Sequence, residues 1–595
     1  MISGLSEAMI RQYATDESFR RGDEYYRNGA VRSLTRRDSL LQSEVEGNEP
    51  EPYGVRITLD EGGIVDAACA CAYAWGGWCK HVVATLLVCL HQPERIETRP
   101  SIEAILAELD RAQIQTVLLR ATERDPSLAD VIEREAALAR AVDTSVAPNP
   151  RPARPARQTT VDVRDVRRQV RAALHGLDSM RASEAYWHVG SIVGDVATVL
   201  ERAWAFTRAG DARSALAILD AMTDEYVQGW TELDDSEGEL GDFFSRLGEA
   251  WTEALLAADL SADERDSWAE MLEDWAAEVE QYGVDDAFDL PIAAAAQGWD
   301  DPALRALMRG ETVAGAVGDR EGIRLDLTDA RLNVLERQGR DDEFLNLARA
   351  TGRAQRYASQ LTRLGRTSEA VSFGLEHLTT GTDALALARV LREQDKLEEA
   401  ARIGERGLSL EGPKGDLAEW LRDLASALGK RDLALNAAEI AFRENPNLPS
   451  YLRVQDLAGA DWPEHRARLL DRLRQVRTYS LAGPIEVLLH ERQIDDAIAV
   501  VEGSYSHDLI EKVAVAAIET HPDWVIQTCR REAEAIMDAG KAQYYDRAAQ
   551  WLTHAARAYR VAKRQGDFEG YLAELIGRHA RKYKLVPLLK ALRAA

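Results

Sequence analysis

A short punctuation recurs along the 595-residue chain and limits what it can fold into: a turn residue followed five positions later by a small or packing residue. Gly210 leads to Ala215, Gly339 to Phe344, Gly365 to Ala370, Asp395 to Ala400, Gly429 to Ala434 and Arg492 to Ala497. Successive intervals from Gly339 are 26, 30 and 34 residues, the scale of a helix-turn-helix repeat. Each such unit leaves one face uncovered until a neighbour stacks on it, so the spacing predicts paired helices in an array. Composition agrees, because only 18 prolines and 7% aromatic residues favour an Ala/Leu-rich helical body over a β one. The expected fold class is mostly α: a small α+β module at the N-terminus followed by an α-solenoid of stacked helix pairs.

One unit is close to the tetratricopeptide pattern. Leu428-Gly429-Lys430, Ala434, Ala441-Phe442 and Glu444-Asn445-Pro446 place a tight turn, a close helix approach and a helix stop in order. Other units depart from it, with Gly374 and Gly404 where a packing aromatic could sit, so the region resembles a degenerate tetratricopeptide-like repeat.

Ligand-type side chains are concentrated at one place. Cys69-Ala70-Cys71 is followed, after seven residues, by Cys79-Lys80-His81, which takes three of the five cysteines. Alternate residues of a strand face one side, so Cys69 and Cys71 can share an ion, and Gly76-Gly77 can turn the chain back. Val82, Val83, Leu86, Leu87 and Leu90 then form an apolar stripe at helical spacing, which puts Cys79 and His81 at a helix start, where a thiolate is favoured. Three thiolates and one imidazole are a closed four-ligand set with no position for a catalytic water, so one structural Zn²⁺ is expected on Cys69, Cys71, Cys79 and His81. Cys89 lies on the apolar helix face and reads as a core thiol, and Cys529 stands apart from any local histidine pairing.

The pattern C-x-C, a gap, C-x-H and a helix resembles the SWIM zinc finger. Phe19-Arg20-Arg21-Gly22 through Tyr25-Tyr26-Arg27-Asn28-Gly29, and the alternating Tyr53, Val55, Ile57 and Leu59, resemble the upstream part of a bacterial SWIM module. The resemblance implies zinc binding together with recognition of DNA or protein; some bacterial relatives accompany helicases of the SWI2/SNF2 type. No helicase motif occurs in the chain.

Charge decides where such recognition could lie. The net charge of −27 is concentrated between Asp220 and Leu290, where 23 acids face two bases. Residues 1–95 hold ten Lys/Arg and 14 acids, Arg151 to Arg171 has seven Arg against two Asp, and Gly577 to Ala595 has six bases and no acid. The acidic helical body is therefore excluded as a phosphate-binding surface, and the near-balanced finger and the basic linker and tail are left open. Candidate contacts are Lys80 between two ligands, Arg151, Arg154 and Arg157 in a Pro-rich linker, and Arg578, Arg581 and Lys582 in a basic terminal helix. The acidic segment carries Trp230, Phe243, Phe244, Trp251, Trp268 and Trp275, readable either as an aromatic core beneath solvated faces or as a landing surface for a basic partner.

The expected organisation is a SWIM module at 1–95, a two-helix extension at 96–142, a linker at 143–160 and the solenoid at 161–595, with the acidic segment 220–290 inside it. With no basic leader, no apolar run long enough to span a bilayer and too few cysteines for a disulfide framework, the chain reads as cytoplasmic. Catalysis is not expected. Gly310 to Gly315 mimics the glycine interval of a phosphate loop but lacks its Lys, and no G-x-S-x-G, G-x-G-x-x-G or H-E-x-x-H occurs. The expected function is a zinc-binding adaptor that recognises DNA or a DNA-associated protein through the finger and offers the repeat to a protein partner. The alternative is a protein scaffold with a structural zinc, including an accessory subunit of a SWI2/SNF2 helicase.

Overall fold

The computed structural model describes residues 2–73, 76–125, 161–177, 189–232, 238–311, 326–475 and 480–594, with 128 and 132. It divides into two compact units, Met1–Arg120 with Thr379–Ala388 and Lys396–Ala595, and Ala121–Leu378 with Arg389–Asp395.

The N-terminal module opens with two helices, α1 (Glu7–Gln12) and α2 (Asp16–Arg27), started by the Ser6 and Thr15 hydroxyls accepting from the Met9 and Ser18 amides. Strands β1 (Val31–Arg37), β2 (Leu40–Val45), β3 (Tyr53–Asp60) and β4 (Gly63–Cys69) form an antiparallel meander. Helix α3 (Lys80–His91) follows, and β5 (Glu97–Thr98) returns parallel to β1, giving the order β4-β3-β2-β1-β5. Alternation puts Leu34, Leu41, Val45, Val55, Ile57 and Leu59 on one sheet face, buried with Val82, Val83, Leu86 and Leu87 of α3. The fifth strand carries the sheet past residue 95.

The expected strand over 53–59 is present, and the expected apolar helix is α3. One detail differs. β4 ends at Cys69, so Cys71 lies just beyond the strand. The extension contains α4 (Ile102–Ala107) and α5 (Arg111–Arg124); of the residues expected in its second helix, Ile132 is helical and Val131, Ala136 and Leu138 lie outside the described set.

In the larger unit the helical body includes α6 (Gly415–Ala427), α7 (Arg431–Glu444) and α8 (Leu448–Ala458). Gly429 sits at φ +71°, with its N–H on Ser426 O and that of Lys430 on Ala425 O, a Schellman closure of α6. Ala434 is fully buried where α7 meets its neighbours. All six turn residues of the punctuation have positive φ, and all six residues five positions on are buried. Gly352 to Tyr357 and Lys563 to Phe568 are two further instances. At Gly404 a Cβ would lie 2.9 Å from Leu421 Cδ1, so the missing side chain allows one helix to approach the next.

The described residues between 161 and 378 also form paired helices. Among them Trp251 is fully buried, its Nε1 donating to Thr223 Oγ1 at 2.9 Å, and Tyr226, Phe243, Phe244, Trp230 and Trp275 are buried around it. Five of the six named aromatics of the acidic segment are thus core, and Trp268 packs half-buried against them. Gly310 at φ +79° follows the helix Pro302–Met308 as a turn, and residues 312–325 lie outside the described set.

The basic tail corrects an expectation. Arg578 ends one helix (Gln565–Arg578), Arg581, Lys582 and Lys584 occupy the connection, and Lys590 lies in the next helix (Leu585–Ala594), so these bases share no single helix. Leu585 is fully buried, and the turn before it brings this helix against the preceding ones.

Candidate metal centre

Cys69 pairs with Val55 in the β3/β4 register. Directly opposed residues share a face, so Cys69 lies on the side of the sheet that α3 covers. Cys79 is the N-cap residue of α3, and His81 is in its first turn. The ligand atoms of Cys69, Cys71, Cys79 and His81 lie within 4.8 Å of one another. His81 Nδ1 is 3.6 Å from Cys69 Sγ and 3.9 Å from Cys79 Sγ. Tetrahedral zinc bonds of about 2.3 Å to sulfur and about 2.0 Å to nitrogen separate ligand atoms by roughly 3.6–3.8 Å, so the four side chains fit that ion.

Electrostatics set the two thiols apart: the hydrogen bond from the Cys69 thiol, with His81 and the Val82 backbone, pulls Cys79 below the usual thiol range against burial, and the same hydrogen bond and burial push Cys69 up. A bound cation would ionise the thiols that hold it. Cys89 and Cys529 are buried, and burial pushes each thiol up to about 12, as fits core thiols.

The surroundings of His81 hold it in place. Tyr53 stacks on its ring, Tyr25 meets it edge-on at 5.6 Å, and Thr85 Oγ1 donates to its carbonyl oxygen at 3.0 Å. His81 Nε2 is buried with no hydrogen-bond partner among the described residues. Sequence reasoning placed Tyr53 in a strand but gave it no role. Its signal was the alternation itself: Tyr53 and Val55 share a face, and Val55 opposes Cys69. Beside the cluster lies a cavity of about 410 Å³ whose lining includes Arg21, Tyr73 and Lys80. Lys80 Nζ sits 4.8 Å from the centre of the Tyr25 ring.

The other candidate contacts are dispersed. Arg578 pairs with Glu574 at 2.6 Å and Glu534 at 3.2 Å, Lys582 donates to the Met537 carbonyl, and Arg581 is exposed. Arg151, Arg154 and Arg157 lie outside the described residues. Further along the same basic stretch, Arg171 pairs with the buried Glu225 at 2.6 Å and Arg167 with Asp224, so these two arginines serve helix packing.

Comparison with known proteins adds a partial similarity. No family model matches the chain. Over 116 residues it is 32% identical to the zinc finger SWIM domain-containing protein 8 homolog of Drosophila melanogaster, a match covering 18% of this chain and 6% of that protein. The chain therefore corresponds to a small fraction of that relative's length. Among solved structures, the P58(IPK) TPR domain is 11% identical, covering 67% of this chain and 98% of that one at a TM-score of 0.16. The human IFIT1 dimer with PPP-AAAA is 12% identical, covering 70% and 94% at 0.16. Scores this low carry no argument about arrangement, and the helical-repeat reading stands on the helices themselves. The chain thus combines a 116-residue similarity to a SWIM zinc finger protein with a Cys₃His cluster of metal-ligand geometry and a body of paired helices.

Proposed function

We propose that the protein is a zinc-binding, non-catalytic adaptor whose helical repeat is a scaffold for a protein partner. The observation that carries this reading is the convergence of three sulfurs and His81 Nδ1 within 4.8 Å at a strand end and a helix start. Four protein ligands close the coordination sphere, so the ion's role is to hold β4 and α3 together. Stacked helix pairs supply the extended surfaces on which such arrays bind other proteins.

Recognition of DNA or a DNA-associated protein through the finger is the finer form of the proposal, with Lys80 and Arg581 as contacts and the 151–157 arginines as an additional arm. A pure protein scaffold is the second reading. It is favoured by the near-balanced charge of residues 1–95 and by the pairing of Arg578, Arg167 and Arg171 within the protein. Both place the protein among accessory subunits, with a SWI2/SNF2-type helicase as one candidate partner.

Two measurements on the full chain test this. Metal analysis of protein purified without chelator is expected to find about one zinc per chain, and its absence refutes the ligand assignment. Fluorescence anisotropy with duplex DNA at low salt, with and without chelator, separates the two readings. Salt-dependent binding lost on chelation supports the finger as a DNA reader. No binding at low salt, with protein partners recovered equally by wild type and a Cys69→Ala/Cys79→Ala variant, leaves recognition to the repeat.

A further inference from the structure

The metal-site loop is bonded to a segment whose far side reaches the helical repeat 410 positions away. The Trp78 N–H, one residue before Cys79, donates to Tyr13 O at 2.6 Å, and the Tyr13 and Trp78 rings pack with centroids 4.9 Å apart. Gly77 is required there, since a Cβ would sit 2.6 Å from Tyr13 O. From the other side of the same residue, Tyr13 Oη donates to Asp423 Oδ2 at 2.5 Å. Arg422 bonds Asp423 through Nε and Nη2, each at 2.8 Å, and its Nη2 lies 3.3 Å from Tyr13 Oη. Both residues are on α6.

A second strand of contacts runs beside the first. Arg453 of α8 donates through Nη1 to Ser6 Oγ, the N-cap of α1, at 3.0 Å and to Asp456 at 2.9 Å. Arg453 also approaches Asp423 at 3.5 Å. Gly4 and Gly63 lie against Ala427, close enough that a Cβ on either would touch it. The two guanidinium groups are closed to water, Arg422 at 0% and Arg453 at 2% exposed, while Tyr13, Ser6 and Asp423 are half-buried. Buried guanidinium groups are costly to leave unpaired, so the positions of Tyr13, Asp423 and Ser6 are held tightly relative to one another.

We propose that the metal centre is a clasp: binding of zinc by Cys69, Cys71, Cys79 and His81 fixes the 76–79 loop, the loop fixes Tyr13, and Tyr13 locks the N-terminal module onto helices α6 and α8. This rests on the zinc reading above and goes beyond it, because it gives the ion a role in the helical repeat. The loop between Cys71 and Cys79 contains two glycines at positive φ and has no regular structure of its own among its described residues. The ion is the covalent-strength constraint on this loop, and removing it leaves the Trp78–Tyr13 contacts and the Tyr73 hydroxyl on Gly76 O to order it. Tyr13 then holds Trp78 less tightly, and the Arg422 and Asp423 groups face solvent-accessible alternatives. Linkage makes the effect reciprocal: the factor by which zinc strengthens docking is the factor by which docking strengthens zinc binding.

The test uses the full chain. Hydrogen exchange is followed in residues 415–427 and 448–458 before and after zinc removal, with residues 565–578 as an internal control. Zinc affinity is measured by competition with a chromogenic chelator for wild type, Tyr13→Phe, which keeps the ring and deletes the hydroxyl, and Ala427→Leu, which crowds Gly4 and Gly63. The clasp is supported if zinc removal raises exchange in both segments and not in the control, and if both substitutions lower zinc affinity on the order of tenfold without touching a ligand. Unchanged exchange on zinc removal, or zinc affinity unchanged in both variants, overturns it. The wild-type exchange experiment stands even if a variant misfolds. A chain that holds no zinc overturns this proposal and the metal reading together; a chain that holds zinc with no change in exchange overturns this one alone.

Discussion

The ring of Tyr53 lies over the imidazole of His81, with centroids 4.3 Å apart and planes 19° from parallel. Tyr53 opens β3 and His81 opens α3, so the stack joins the strand that faces Cys69 to the helix that carries two ligands. It fixes the plane of the imidazole, whose Nδ1 edge lies 3.6 Å from Cys69 Sγ and 3.9 Å from Cys79 Sγ.

Tyr53→Ala is accordingly expected to weaken zinc retention about tenfold, within the range seen when groups that orient a ligand are lost. Tyr53→Phe keeps the stack and should retain affinity near wild type. Chelator competition on the two variants checks the pair; equal losses would show that the hydroxyl, and not the ring, matters.

Asp423 introduces a pH dependence. Burial pushes its carboxyl up, but the charge and hydrogen bonds of Arg422, with Arg453 and Tyr13, outweigh that and hold it below the usual carboxylate range. A depressed native value stabilises the fold above the unfolded value of 3.8, and that stabilisation is lost as pH falls through the native value. Asp423→Asn should cost about 3–5 kcal/mol at neutral pH, because it leaves Arg422 buried and unpaired. The gap between wild type and variant in urea unfolding should narrow below about pH 4.

The turns offer a test of backbone strain. Arg492 adopts φ +56° between the helices Ala482–His490 and Ile494–Val501, a conformation costing a non-glycine residue about 1 kcal/mol. Arg492→Gly is expected to be stabilising by up to about 0.5–1 kcal/mol, and Gly429→Ala destabilising by about 1 kcal/mol. Denaturant midpoints of the two variants should move in opposite directions.

In the acidic segment, Trp251→Ala should cost about 3–5 kcal/mol, since it empties a fully buried site and leaves Thr223 without its donor. Asp274→Asn, at an exposed position of the same segment, should change stability by no more than about 0.5 kcal/mol. Thermal unfolding of both variants checks the contrast.

Much of this architecture was legible in the chain because it is local. Gly429 and Ala434 mark a turn and a close packing point within five residues, and any helix pair needs both, so their recurrence revealed the array. The Cys₃His cluster was legible for the same reason, its four residues falling within 13 positions with few other thiols to confuse them. The acidic run revealed its charge, and Trp251 reads there as part of a helix packing face, but nothing in the run shows that the acid Glu225 lies inside with it; only the packed helices do.

The tail and the basic stretch were misleading as charge counts. Arg578 and Arg171 each have a carboxylate partner on another helix, and a sequence carries no record of which acid lies opposite which base.

The sequence by itself determined the helical repeat, its turn positions and the grouping of Cys69, Cys71, Cys79 and His81, since these depend on φ preferences, volumes and spacings over a few residues. Only the tertiary structure decided that Tyr53 supports His81, that Cys69 faces α3, and that Tyr13 reaches Asp423. Contacts between positions 12 to 410 residues apart are set by how whole elements pack, and no local pattern encodes them.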